Sequence, residues 1–326
     1  MSGRGLLLFS GGLDSLIAAR ILTEQDITLT GIHFILPFKI PGHSTETETV
    51  SSRAREAGID LLLEYCTTDY LNMLRNPKHG YGKNMNPCID CKIFFLKRAA
   101  EIMREMNADF IATGEVSGQR PMSQRRDMII HIEHEAQLEG KILRPLCAHD
   151  FAETDAEKNG IVDRSKLLSI YGRGRTIQLD LAKKYGISDY SSPSGGCAFT
   201  DPNFARRLKE LFDHSDDPKQ HEIFLLSIGR HYRLKFCKQI LSRDAGETEL
   251  LYKFSDLADF FIEPCTRGPV SFLIGEASAE DITLAIDNLA SYCKAQAGDE
   301  FSATVTSRGG MYEQKITASG SRILPI

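Results

Sequence analysis

A short apolar run that ends in two adjacent glycines restricts this chain more than any other feature. Residues 6–9 are apolar, Ser10-Gly11-Gly12 follows, and Leu13, Leu16, Ile17 and Ile21 then recur at helical spacing. A buried strand that passes through a tight turn into an amphipathic helix is the first half of a βαβ unit. The pattern repeats. Residues 28–35 and 60–64 read as strands, 45–57 as a helix stopped at Gly58, and 89–106 as a long helix with Ile93, Leu96, Ala100 and Met103 on one face. Residues 110–113 and 142–146 supply a fourth and a fifth strand. Strands that alternate with helices predict an α/β fold, a doubly wound parallel sheet with a binding crevice at the carboxyl ends of its strands.

A polar stretch over 213–221 reads as a linker, so the expected domains are 1–215 and 220–326. The second is expected to be a smaller α+β domain, with strands over 224–228, 236–241 and 271–274 and a helix over 279–295. Among 326 residues, 42% hydrophobic and 25% charged are globular proportions, which excludes disorder, collagen and coiled coil. The net charge of −5 argues against nucleic-acid binding through overall charge and leaves local basic patches open. No apolar run reaches the roughly 18 residues that span a bilayer, and no leader pattern is evident. The expectation is a cytoplasmic protein with no membrane partner, whose eight cysteines stay reduced.

The loop Ser10-Gly11-Gly12-Leu13-Asp14-Ser15 is neither a Walker A loop nor a Gly-x-Gly-x-x-Gly fingerprint. Its physics is related, because two glycines let the backbone approach an anion and the helix N-terminus offers N–H groups to it. Ser10 and Ser15 add hydroxyls. Asp14 would repel a phosphate directly, so it either caps the helix or holds a Mg²⁺ that bridges phosphates. The hexapeptide resembles the PP-loop of the ATP pyrophosphatases, whose motif is SGGxDS. The resemblance implies an adenine nucleotide alpha hydrolase-like fold, ATP and Mg²⁺ as ligands, and activation of a substrate as its adenylate. It does not choose among synthetases, ligases and tRNA-thiolating enzymes.

The cysteines narrow the choice. Asn86-Pro87-Cys88-Ile89-Asp90-Cys91-Lys92 introduces the long helix, where thiols are expected to have depressed pKa values. Cys197 closes the small-residue loop Ser192-Pro193-Ser194-Gly195-Gly196, whereas Cys66, Cys147, Cys237, Cys265 and Cys293 read as structural. With Asn107-Ala108-Asp109-Phe110-Ile111-Ala112-Thr113-Gly114, these segments resemble the tRNA 2-thiouridylases over about residues 5–200. The resemblance implies catalytic Cys91 and Cys197 beside Asp14, and nucleotide contacts from Ser10, Gly11, Gly12, Asp14, Ser15 and Gly114. The family's Asp in the first motif is Cys88 here, and its His after Thr-Gly is Glu115. Other PP-loop thiolation enzymes hold a [4Fe–4S] cluster by a C-x-x-C and one distant Cys. The resemblance therefore implies a cluster on Cys88, Cys91 and Cys197, with zinc or a cysteine persulfide as alternatives.

The implied reaction adenylates a uridine carbonyl in tRNA and replaces its oxygen by sulfur from sulfide or a persulfide carrier. A homodimer is left open. Two other readings stand beside it: an amine-using PP-loop ligase with structural zinc, and a non-catalytic RNA-binding protein. Candidate RNA contacts are Arg173 and Arg175, interleaved with Gly172 and Gly174, a cluster of Arg120, Arg125 and Arg126, and the basic strip Arg230, Arg233, Lys235, Lys238 and Arg243. Tyr232 within that strip could stack on a base. The strip and the pattern after it resemble an NFACT-type RNA-binding domain. His131-x-x-His134-Glu135 lacks a zincin spacing and reads as a solvated polar segment.

Overall fold

The computed structural model describes residues 3–39, 45–191 and 197–326. The chain divides into two compact units, 1–200 and 201–326. In the first, strands β1 (Arg4–Leu8), β2 (Thr28–Ile35), β3 (Asp60–Tyr65), β4 (Phe110–Thr113) and β5 (Ile142–Leu143) form one parallel sheet in the order β3-β2-β1-β4-β5. Helices α1 (Leu13–Thr23), α2 (Thr45–Ala57), α3 (Thr68–Arg75), α4 (Cys88–Glu105) and α5 (Arg126–Glu135) alternate with these strands. Two apolar cores account for their faces. One packs Leu7 and Phe110 with Leu16 and Ile17 of α1 and Val50 of α2, and the other packs Leu6 and Ile111 with Ile93, Leu96 and Ile102 of α4. The chain leaves β1 toward β2 and β3, then returns to add β4 on β1's other side. The carboxyl ends of β1 and β4 therefore form the switch point where an open α/β sheet leaves a crevice.

The second unit is a six-stranded antiparallel sheet. Its order is β11-β10-β8-β9-β7-β6, from β6 (Arg230–Arg233), β7 (Cys237–Leu241), β8 (Phe260–Pro264), β9 (Ser271–Gly275), β10 (Glu300–Ser307) and β11 (Gly310–Thr317). Helix Ala279–Tyr292 covers it through Ile282, Ala285, Ile286 and Leu289, and opens with a capping box from Ser278 to Asp281. Two expectations are corrected here. Residues 224–228 are not a strand: Gln220–Phe224 is helical and Leu225–Ser227 a 3₁₀ turn. Ile223, Phe224, Leu225 and Leu226 are all buried, and a short apolar run buried on every side fits helix as well as strand. The boundary also falls earlier than the polar 213–221 stretch. Helix Pro202–His214 belongs to the second unit because its Glu210 pairs with Arg233 and Lys238, and its Arg207 donates to the Leu226 carbonyl at 3.0 Å. Among the described residues no helix is long and apolar enough to cross a membrane.

Candidate active site

The turn after β1 is stapled by its own hydroxyls. Ser15 Oγ donates to the Gly12 carbonyl at 2.8 Å, the Gly12 N–H donates to Ser10 Oγ at 3.2 Å, and the two serine oxygens lie 3.3 Å apart. Gly11 has φ +69°, a left-handed conformation that glycine adopts without strain. Asp14 does not cap α1, since the N-cap is Gly12 and no side chain bonds there. Instead Asp14 Oδ2 accepts from Gln119 Nε2 at 3.1 Å, and its Oδ1 is buried without a hydrogen-bond partner. A buried carboxylate oxygen left this way is costly unless a cation or donor meets it.

Two residues brace the turn. Gly114, just past β4, lies so close that a Cβ there would sit 2.7 Å from the Ser15 nitrogen and 2.9 Å from the Asp14 carbonyl oxygen. Buried Arg53 of α2 donates to the Gly11 carbonyl at 3.1 Å, to Ser191 Oγ at 2.7 Å and to Asp189 at 2.8 Å. The Asp189 carboxyl is consequently held below its ordinary value by Arg53. Nothing in the sequence singles out Arg53, because its partners lie far along the chain.

The thiols gather on the α4 side. Cys88 opens α4, and Cys91 follows one turn later on the same face. Cys91 Sγ lies 3.3 Å from Tyr70 Oη of α3, and Cys88 Sγ lies 3.4 Å from Ser123 Oγ. Cys197 is half-buried, while the loop 192–196 before it lies outside the described residues. Burial pushes the Cys91 thiol up to about 12, against the lowering effect of the Tyr70 hydrogen bond, and nearby Cys197, Cys88 and Cys66 add to the rise. Cys197 is also raised, by burial first and then by Cys88, with the Phe199 backbone hydrogen bond and Arg120 opposing. The depressed value expected of a thiol in a first helical turn is therefore corrected at Cys91: desolvation outweighs the helix dipole. Buried Cys66, past the end of β3, was expected to be structural alone, yet it lies within electrostatic reach of Cys91 and Tyr70.

One loop touches both halves. Gly114 abuts Asp14 and Ser15, and Glu115, the next residue, is ion-paired to Lys92, the neighbour of Cys91. Burial would raise the Glu115 carboxyl, but Lys92 and Arg144 together hold it below its ordinary value. Arg144 also binds Glu133 at 2.9 Å, so Glu115 fills the position of the resembled family's histidine as part of a charged network.

The basic candidates separate. Arg173 is exposed beside Tyr171, which is 74% exposed, and Arg175 is half-buried with its Nε unpartnered. The strip in the second unit is largely committed to internal partners. Arg233 and Lys238 pair with Glu210, Arg243 pairs with Glu247, and Arg230 lies over the Tyr292 ring at 4.9 Å. Tyr232 is buried and hydrogen-bonds Tyr292 at 2.7 Å, so it presents no face to a base. The strip holds no acid in sequence because its acids come from elsewhere in the fold. Exposed Phe236, with Lys235 over its ring at 4.9 Å, is the aromatic that faces solvent there.

Residues 1–172 match the family of the thiamine biosynthesis protein, ThiI. The chain belongs to the ThiI family. Residues 229–321 of this ThiI-family chain match the NFACT protein RNA binding domain. A tRNA sulfurtransferase of Desulfurococcus amylolyticus is 25% identical over 174 residues, 52% of this chain and 33% of that protein. The tRNA-specific 2-thiouridylase MnmA of Petrotoga mobilis is 24% identical over 246 residues, 69% of this chain and 64% of that protein. The chain thus spans less than two thirds of the length of these curated relatives. Among solved structures, a 4-thiouridine synthetase–RNA complex with bound ATP is similar at 19% identity and a TM-score of 0.37, covering 69% of this chain and 51% of that one.

Proposed function

We propose that this ThiI-family chain is an ATP-dependent tRNA sulfurtransferase that replaces a uridine carbonyl oxygen by sulfur. The observation that supports the reading is the loop at Gly114 and Glu115: Gly114 abuts the turn at Asp14 and Ser15, and Glu115 pairs with Lys92, the neighbour of Cys91. The Ser10–Ser15 turn at the N-terminus of α1 suits the β and γ phosphates of ATP. The orphaned Asp14 Oδ1 would hold a hard cation such as Mg²⁺, which takes oxygen donors and would supply positive charge beside the phosphates. The uridine oxygen attacks the α phosphorus, pyrophosphate leaves, and the resulting O–AMP is a far better leaving group than the original carbonyl oxygen. Hydrosulfide adds to the activated carbon, and AMP departs with the former carbonyl oxygen. The base must be unstacked to reach this crevice, and Tyr171, Arg173 and the second unit are the candidate RNA contacts.

Two features favour cluster ligation by Cys88, Cys91 and Cys197. The donors are all thiols, which cubane clusters prefer. The raised Cys91 thiol is a poor free nucleophile at neutral pH, which weighs against an unligated Cys91 attack. When bound, such a cluster supplies an iron with no protein ligand, where sulfide can be held.

The test is anaerobic purification followed by reaction with tRNA, ATP and sulfide. Pyrophosphate release matched by thiolated uridine in the nucleosides is expected, with about four irons per chain. Full activity in iron-free protein would sink the cluster, and pyrophosphate release with an amine incorporated would favour the ligase. Gly114→Ala is expected to slow pyrophosphate release roughly 100-fold, because its Cβ must push the turn out of register. An unchanged rate with the fold retained by circular dichroism would show that Gly114 does not position the nucleotide.

A further inference from the structure

We infer that His79, His131 and Glu135 form a binding site for one divalent transition metal, with zinc the preferred ion. Their donor atoms lie within 4.8 Å of one another, and all three residues are half-buried. His131 and Glu135 stand one turn apart on α5 and so share a face. His79 comes from the segment between α3 and α4 and meets them edge-on, its ring 5.1 Å from that of His131 at 83°.

The two Nε2 atoms are 3.1 Å apart. Two imidazoles on one tetrahedral zinc, with Zn–N of about 2.0–2.1 Å, place their nitrogens roughly 3.3–3.4 Å apart. The rings need only part by a few tenths of an ångström. Buried Asp90 sets the orientation: its Oδ1 lies 3.0 Å from His79 Nδ1, and its Oδ2 accepts the His79 backbone N–H at 3.0 Å. A carboxylate can only accept, so Nδ1 carries the proton and Nε2 points its lone pair at His131. This is the outer-sphere arrangement that fixes ligating histidines in metal sites.

Glu135 is held by Lys78 at 2.6 Å, but the Lys78 side chain is 68% exposed. An exposed ion pair of this kind contributes little, so an ion can displace it. Two imidazoles and one carboxylate suit zinc with a fourth position left to water, and differ in softness from the three thiols. The site does not depend on what the cysteines hold. It shares their helix, because Asp90 stands between Cys88 and Cys91.

The test removes the competing thiols. In a Cys88→Ala/Cys91→Ala/Cys197→Ala chain, calorimetric titration with Zn²⁺ is expected to show one equivalent, with only nitrogen and oxygen neighbours by X-ray absorption. Asp90→Asn should weaken binding by roughly 10- to 100-fold at unchanged stoichiometry, and His131→Ala or Glu135→Gln should weaken it further. Binding of equal affinity in His131→Ala, or no stoichiometric binding in the folded triple-cysteine variant, overturns the assignment. A second measurement uses the unaltered chain: histidine ring ¹⁵N resonances of His79 and His131 should shift on saturation with Zn²⁺. If both stay fixed, the site is not there.

Discussion

Replacing Cys197 by Ala is expected to abolish uridine thiolation while tRNA-stimulated pyrophosphate release stays within a few-fold of the parent. The separation follows from how each half of the site is held. The turn after β1 is positioned by Ser10, Ser15, Gly114, Gln119 and Arg53, and among the described residues none of these contacts passes through Cys197. Cys197 is anchored through its backbone carbonyl, and its sulfur takes one hydrogen bond from the Phe199 backbone. Its carbonyl accepts from Thr200 N–H at 2.8 Å and from Thr200 Oγ1 at 2.6 Å, and neighbouring Phe199 is buried. Alanine keeps the two Thr200 bonds and gives up a half-buried sulfur with its one backbone hydrogen bond, so the fold should persist. Iron content should fall with thiolation if Cys197 is a ligand. Mass spectrometry of tRNA nucleosides beside a pyrophosphate assay decides it, and normal thiolation in the variant would remove Cys197 from the site.

The second large effect concerns Glu210, whose carboxylate neutralises two cations of the second unit. Glu210 is 10% exposed and Lys238 6% exposed, with a bond of 2.5 Å between them, and Arg233 Nε reaches the same carboxylate at 2.6 Å. Glu210→Ala leaves a buried ammonium without its partner, an error that costs about 3–5 kcal/mol. Lys238→Met in the same chain should recover most of the loss, since a buried pair replaced by apolar groups of similar volume is often neutral. Burial acts to raise the Glu210 carboxyl, but Lys238 and Arg233 prevail and hold it below its ordinary value. A depressed folded value means this stabilisation is present above about pH 4.3, the unfolded carboxyl's range, and is lost as pH falls through the folded value. Urea midpoints by circular dichroism, with hydrogen exchange read at β6 and β7, check both points. An unaltered midpoint in Glu210→Ala would show that Lys238 finds water or another acceptor.

The first unit was largely legible because its signals are local. Strands β2 and β4 and helix α2 match their predicted ranges, and α4 differs by one residue at each end. The hydroxyl-stapled turn after β1 was readable since six contiguous residues carry it. Legibility fails where a residue's partner is remote in sequence. Arg53 meets Asp189 and Ser191, Glu115 meets Lys92, and Glu210 meets a strip that looks unopposed when only its own neighbours are read. The His79 group failed in the same way, for the spacing within 131–135 is not a zincin's and the third donor lies before α4. The hairpin β10–β11 was missed for a different reason. Only Phe301, Ala303 and Val305 alternate inward, and β11 is a mostly exposed edge with little apolar pattern to detect.

The tail of the first unit is tied to the entry of α4 by Asn84 Nδ2 on the Thr200 carbonyl at 2.7 Å and by Met85 N–H on the Phe199 carbonyl at 3.2 Å. Contacts of such sequence separation form late, after the loop-closure entropy of the intervening chain has been met. During synthesis Cys88 and Cys91 leave the ribosome long before Cys197. Bringing Cys197 to Cys88 and Cys91 is therefore a product of completed folding and not a nucleus for it.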